Sequence, residues 1–378
     1  MFNIIKERMT HAGRLERWLG TEIVEQLSSG MKDWYGPPIA VAGVPGNVWA
    51  MPGGDFRGII GSGQFMGALD YAEDRLKNAY HKIMVGESTR IYMNAGFASL
   101  SDLIAEASAG KRQERMFAKS GTSAAIGAAM SLWRIGTWPS SGSAAAAAPG
   151  GTAFTNATAG ALAFSTVEGA GDTLHFVSGY PLGSALGNLL LYDRLFGVAR
   201  TMTVATSEAV TGVPTRYQST VSTAADSAAG NFLFFECGTV LPATAHTYTT
   251  CIYTDQAGNT LNSLPALVGN SANVANRLDH PVNAWFAPLA AGDTGIKALT
   301  ETDIGASSMA SGAIDCVIGH PIAFMPVPII NIICVADGIN SAFNLTRIFD
   351  NACLAFLDLV RVAATGVVYQ GNITAVAG

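Results

Sequence analysis

The sequence predicts a mainly β protein, with a β-sandwich or jelly-roll-like C-terminal region behind a mixed α and irregular N-terminal segment. Three observations lead there. Charge thins out along the chain: 27 of residues 1–119 are Lys, Arg, Asp or Glu, against 23 of residues 120–378, a shift of the kind found at a domain boundary. The second region is filled with short runs of Val, Ile, Thr, Phe and Tyr between turn signals, the pattern of an all-β sandwich. Helical periodicity is confined to the first third. The expected organisation is a helical and extended-arm docking region over 1–119, a linker-like Ala/Gly/Ser segment over 120–151, and a β-sandwich over 152–378 with room for two sub-domains.

In order, "NIIKERMTHAGRLERWLGTEIVEQL" repeats apolar residues every three or four positions (Ile5, Met9, Ala12, Leu15, Leu19, Ile23, Leu27), which is one helical face. Gly13 and Gly20 make two short helices as good a reading as one, and Gly30 is the stop. The Pro- and Gly-rich stretch over 35–67 reads as an extended arm with a strand or two. "GALDYAEDRLKNAYHKIM" is a second helix, with Leu69, Leu76 and Ile83 on one face and Glu73 four residues before Lys77. "SDLIAEASAG" is a third, capped by Ser101 and stopped at Gly110. Lys111, Arg112, Arg115 and Lys119 then surround Glu114, either as a solvated helix end or as an electrostatic foothold on an acidic partner subunit. Trp133 and Trp138 in "LWRIGTWP" are candidates for a contact patch or for the core. Residues 140–151, nearly all Ala, Ser, Gly and Pro, suit a linker or mobile loop.

Strands are expected at "TLHFVSGY", "NLLLYDRLFGV", "NFLFFECGTV", "TYTTCIYTD", "AIDCVIG" and "IINIICVA". One hairpin turns at "QAGN" after "TTCIYTD", and a second closes the chain within "AFLDLVRVAATGVVYQGNITAV". The apolar window "IGHPIAFMPVPIINIICV" (318–335) contains Pro321, Pro326 and Pro328, which a spanning helix does not tolerate. It reads as one or two buried strands.

The 378 residues are 49% hydrophobic and only 13% charged, with a formal net charge of −6, where an average domain is about 25% charged. Such a surface gives no footing for nucleic acid, and nothing reads as a membrane segment or secretory signal. So little charge leaves few solvated faces, and copies of the chain itself are the expected cover. The five cysteines (Cys237, Cys251, Cys316, Cys334, Cys353) contain no C-x-x-C pair and read as buried thiols rather than a disulfide framework or zinc site.

Catalytic motifs fare no better. "GSGQFMG" lacks the α/β surroundings of a dinucleotide site, and no P-loop, H-E-x-x-H or G-x-S-x-G occurs. Asp279–His280 in "LDHPV" and Asp315, Cys316 and His320 in "IDCVIGHP" are the nearest things to an imidazole set beside an acid or thiol; loop-corner and strand-capping roles suit both better. No catalytic, cofactor-binding or metal-ligating residue is assigned, and the expectation is a protein that is not an enzyme and needs no cofactor.

The segments "TNATAGALAF", "GNLLLYDRLFGVA", "GVPTRYQ", "LAAGDTGIKAL" and "DNACLAFLDLV" resemble a recurring family of tailed-bacteriophage structural proteins, the Ala/Gly/Thr-rich virion proteins encoded among head genes. The resemblance is strongest over about 120–378 and weak over 1–119. It implies a virion protein assembled in the host cytoplasm, whose partners are copies of itself and other capsid proteins. An auxiliary or decoration subunit fits best. The alternatives are the major coat protein, for which a long spine helix is expected, and a tail, collar or fibre component touching a host receptor.

Within that frame Asp193 and Arg194 stand out, an acid and a base side by side in "GNLLLYDRLFGV". Neighbours on a strand face opposite ways, so they cannot pair with each other. Arg194 is expected to reach a carboxylate or carbonyl on a neighbouring strand or subunit, Asp193 to hold a turn or an inter-subunit contact, and Leu189, Leu191 and Leu195 to fill the core. Both charges need partners, since an uncompensated buried charge costs several kcal/mol.

Overall fold

The computed structural model describes residues 47–50, 57–60, 97, 99–124, 128–204, 206–218, 228–248, 251–280, 284–302, 309–341 and 345–378. The chain divides into two units, Met1–Met93 and Asn94–Gly378. In the first, strands β1 (Asn47–Ala50) and β2 (Arg57–Ile60) pair antiparallel, with Asn47 opposite Ile60. The helices expected over 3–27 and 67–84 lie outside the described residues.

The second unit is mainly β. It opens with helix α1 (Leu100–Glu106), whose cap is Ser99, not Ser101: the Ser99 side chain accepts from the Asp102 amide at 3.1 Å. A π-type turn follows and ends where Gly110 takes φ 89°, a conformation that favours glycine. Strand β3 (Arg112–Ala124) comes next. The basic run expected at a helix end therefore lies on a strand. Because β3 pairs along its length with the last strand of the chain, residues 112–119 belong to the C-terminal sheets and not to a separate docking region.

The remaining long strands are β4 (Ala129–Ser131), β5 (Leu174–Gly183), β6 (Gly187–Thr201), β7 (Phe232–Cys237), β8 (Ile252–Asp255), β9 (Ile296–Thr302), β10 (Ala313–Val327), β11 (Leu354–Val360) and β12 (Ala364–Ala377). One antiparallel sheet runs Ala336–Asp337, β5, β12, β3, Thr137–Trp138. A second runs β7, β10, β6, β11, β4, with Thr152–Ala153 also on β6. A smaller sheet orders Asn262–Ser263, β8, β9 and Glu208–Ala209. Its first pair is the hairpin read at "QAGN", with Tyr253 opposite Asn262.

Three apolar clusters hold these elements. Phe117, Phe176, Tyr369 and Ile373 of the first sheet share a core with Leu189, Leu191, Met325 and Phe356 of the second, and the Phe117 and Phe356 rings lie 4.4 Å apart. The second sheet is covered further on both faces. On the face of the first cluster, Val198, Leu233, Phe235 and Ile314 meet Tyr253 and Leu299 of the smaller sheet, while on the other face Leu190, Tyr192, Phe234 and Val317 meet Trp133 and Phe154. With both faces covered, β6 and β7 are buried nearly throughout, and their apolar runs are those of a fully buried strand.

Three further expectations are corrected. Residues 140–151 are not a free linker. Ala145 is buried in the third cluster, the Gly142 amide donates to the Trp133 carbonyl at 2.8 Å, and a side chain at Gly142 would run into the Trp133 indole. The closing hairpin does not form: β11 pairs with β6 and β4, β12 with β5 and β3, and residues 361–363 carry the chain between sheets. Since β11 is buried almost throughout, it takes a central place flanked by two strands, which a terminal hairpin would not give it. Finally, the window 318–335 is a strand only as far as Val327. Beyond it, Ile329, Ile330, Ile332, Ile333 and Val335 are exposed.

Candidate functional site

The second sheet carries a set of charges inside the core. On β6 the residues alternate as expected. Leu189, Leu191 and Asp193 face one way, and Leu190, Tyr192 and Arg194 the other. A bulge then separates the Gly319–Arg194 pair from the Ile318–Phe196 pair and leaves Leu195 as the extra residue. Asp193, Arg194 and Leu195 are all fully buried.

Arg194 reaches across the sheet. Its Nη1 donates to Glu236 Oε2 on β7 at 2.7 Å, and its Nη2 lies 3.6 Å from Asp315 Oδ2 on β10. A second guanidinium closes the group: Arg134 Nη2 donates to Asp315 Oδ2 at 2.5 Å and its Nε lies 3.0 Å from Glu236 Oε1. Two cations and two carboxylates make a neutral set, and only Arg134, 18% exposed, touches solvent. The Arg194 guanidinium also lies 5.0 Å from the Trp133 ring, 4.7 Å from Phe154 and 5.9 Å from Phe234, so π-faces replace water around it. Burial works against the Arg194 charge, but Glu236, Tyr192 and Asp315 outweigh it and move its pKa above the ordinary arginine value.

Asp193, on the opposite face, has a different partner. Arg216 forks onto it, Nε to Oδ2 and Nη2 to Oδ1, both at 2.7 Å. The Cys353 amide donates to Oδ1 at 2.8 Å, which ties β6 to the start of β11. Arg216 Nη2 also donates to the Arg194 carbonyl at 3.3 Å. Asp193 thus binds the 210–218 loop of its own chain instead of a second subunit. Asp193 and Arg194 are not brought together; each anchors a separate intramolecular pair.

A third buried group lies beside the smaller sheet. Asp279 accepts from His246 Nε2 at 2.6 Å, from the Tyr248 hydroxyl, and from the Asn270 amide at 2.8 Å. Burial disfavours both charges. The mutual contact still raises the His246 pKa and, with Tyr248, lowers that of Asp279, as in an ion pair. His280 instead accepts the Phe235 amide on Nε2 at 3.1 Å, and burial lowers its pKa to about 4. His320 stacks on Tyr217 at 3.7 Å and bonds Asn231 Oδ1 at 2.7 Å; burial lowers it to about 3. Cys316 is buried in the second cluster, away from the Asp315 carboxylate that Arg134 and Arg194 hold, so Asp315, Cys316 and His320 do not converge.

The other sequence candidates are scattered. Trp133 is core, with its Nε1 donating to the Ser143 carbonyl at 2.8 Å, whereas Trp138 is 63% exposed on the edge of the first sheet. Lys111 bridges Glu106 at 2.9 Å and Asp172 at 3.1 Å. Arg112 pairs with Glu114 at 3.1 Å in the open. Arg115 donates to the Ala163 carbonyl at 2.7 Å and lies over the Phe164 ring. Lys119 is buried, donating to the carbonyls of Ile135, Pro139 and Ser140 at 3.0, 2.9 and 3.4 Å, and burial lowers its pKa to about 8. Four cysteines are buried as expected, but Cys334 is only half-buried.

Sequence reasoning passed over Glu236, Arg134 and Arg216 as partners, and over the His246–Asp279–Tyr248 group. The signal was available for Glu236, a lone acid within "NFLFFEC". Among the described residues no cluster of three or more His, Cys, Asp or Glu is placed to hold a metal, and no helix is long and apolar enough to cross a membrane. Comparison with known proteins finds no family model, no curated protein and no solved structure that matches the chain.

Proposed function

We propose that the chain is a non-enzymatic structural subunit of a bacteriophage virion, a capsid-associated auxiliary or decoration protein that assembles through symmetric contacts. In this reading the two large sheets form a sandwich and the N-terminal region docks on the shell. One observation carries the non-enzymatic part. The charged networks gathered inside the β unit are spent on one another: Arg194 and Arg134 on Glu236 and Asp315, Arg216 on Asp193, His246 on Asp279. Lys119 is held by three backbone carbonyls, and Asp358 lies against the Tyr369 hydroxyl between the sheets. Groups neutralised and sealed in this way lock strands together; a catalytic acid or base must instead meet a substrate. Virion membership is supported by the resemblance of the segments over 120–378 and by the low charge that suits a subunit covered by its own copies.

The major coat protein remains the second reading, and the seven-residue α1, the longest α-helix among the described residues, gives it no spine. The test is mass spectrometry of purified particles of a phage that encodes this chain. Recovery in a fixed, multiple copy number per particle is expected. Particles that lack the chain would overturn the proposal.

A further inference from the structure

The apolar window 318–335 enters the core only as far as Val327; the stretch beyond it is absorbed by neither the core nor the charge network. Beyond Val327 the chain turns its apolar side chains outward: Ile329 is 52% exposed, Ile330 48%, Ile332 52%, Ile333 63% and Val335 60%. This is no frayed tail. The Asn331 amide donates to the Gly183 carbonyl at 2.8 Å and the Cys334 amide to the Pro181 carbonyl at 2.9 Å. Ala336–Asp337 then joins β5 as the sheet's edge strand. The backbone is tied down on both sides of the loop while the isoleucines point away from it. Exposed apolar surface held in one conformation is what an interface needs, because little ordering entropy is left to lose on contact.

We infer that a second copy of this chain covers the loop Ile329–Val335, the two copies meeting loop to loop. This deepens the subunit reading above and rests on it. Charge selects the occupant. Between Asp315 and Asp337 the sequence has no Asp, Glu, Lys or Arg, whereas the whole chain carries a net −6. Two copies of an anionic protein repel wherever their charged surfaces face, and a charge-free projection is where they approach most freely. A bilayer is the poorer partner. Membrane-inserting loops are flanked by cations, and here no Lys or Arg occurs between Lys297 and Arg347, while the nearest charge along the chain is the acidic Asp337. A contact between identical loops also needs no recipient groove, since each apolar face is complement to the other.

The loop carries its own reporter. Cys334 is half-buried on it and the other four cysteines are buried. The experiment compares the full chain with an Ile332→Glu, Ile333→Glu variant by size exclusion with light scattering over a dilution series, alongside bismaleimide cross-linking at Cys334. The wild type should be a discrete oligomer that cross-links, and Cys334→Ser should abolish the link. The variant should keep its circular dichroism but need at least about tenfold more protein to associate, since each contact would now bury carboxylates. A variant that keeps the wild-type mass and dilution behaviour overturns the inference and leaves the virion reading standing. A wild-type monomer overturns the inference and weakens that reading too. A monomer that floats with phosphatidylcholine vesicles overturns it in favour of a bilayer.

Discussion

Arg194 shows how a single residue fixes the register of three strands. It sits on β6, bonds Glu236 on β7 and lies beside Asp315 on β10, so a slip of β6 past β10 by one residue would turn its charge to the wrong face. Arg194→Ala leaves two carboxylates facing one guanidinium in the core, and urea unfolding should show a loss of about 3–5 kcal/mol. The joint variant Arg194→Met, Glu236→Met leaves Arg134 and Asp315 as a neutral pair and should cost clearly less than the sum of the two single changes. An Arg194→Ala protein that melts with the wild type would remove the network from the account of stability. Half of this arrangement was legible in the sequence: period-2 alternation puts Asp193 and Arg194 on opposite faces whatever the fold. Their partners were not, because Glu236 and Arg216 are brought in by sheet order and by a loop, and no local pattern encodes either.

At the scale of elements, composition misleads where small residues serve packing. The run 140–151 has the Ala, Ser and Gly of a flexible linker, yet Gly142 lies against the Trp133 indole and the Ala145 amide donates to Asp315 Oδ2 at 3.1 Å. A residue without a side chain suits a flexible segment and a close backbone approach equally, so the sequence alone does not separate the two. Gly142→Ala should therefore cost about 1–3 kcal/mol, the usual penalty of overpacking, and shift the tryptophan emission; an unchanged melt would mean that the segment is loose after all. At α1 the error was smaller. Ser99 and Ser101 are both plausible caps, and only the bond to the Asp102 amide chooses between them. Ser99→Ala should remove about 1 kcal/mol from the helix, visible as faster exchange of the Leu103 and Asp102 amides with little change in the global melt.

For the whole molecule, the mainly β character was legible because short β-branched and aromatic runs persist to the end of the chain. The closing crossover was not, since "AFLDLV" and "GVVYQGNITAV" are each good strands and only the competition for a central place in the second sheet parts them. That crossover sets an acid between the two large sheets. Asp358 on β11 and Tyr369 on β12 converge over Gly187, where any side chain would strike both. Burial raises the Asp358 carboxyl to about 7, against smaller opposing effects of the Tyr369 hydroxyl and the Asn188 amide. An unfolded Asp titrates near 3.9. Below about pH 4 both states hold the proton and Asp358 leaves stability unchanged. Between about 4 and 7 the folded state keeps a proton that the unfolded state has released, so stability falls as pH rises, and it levels off above 7. From pH 5 to pH 8 the loss due to Asp358 is roughly 2–3 kcal/mol. His246, whose folded pKa is also raised, adds a loss of the same sign at higher pH. His280 and His320, lowered to about 4 and about 3 by burial, add a gain as pH rises toward the ordinary histidine value, so the wild-type profile alone does not isolate Asp358. Asp358→Asn cannot ionise, and urea titrations at pH 5 and pH 8 should show its stability change over that interval to be more favourable than the wild type's by that amount. Equal changes in the two proteins would mean that Asp358 keeps an ordinary carboxylate pKa inside the sheets and that the first cluster is wetter than its burial implies.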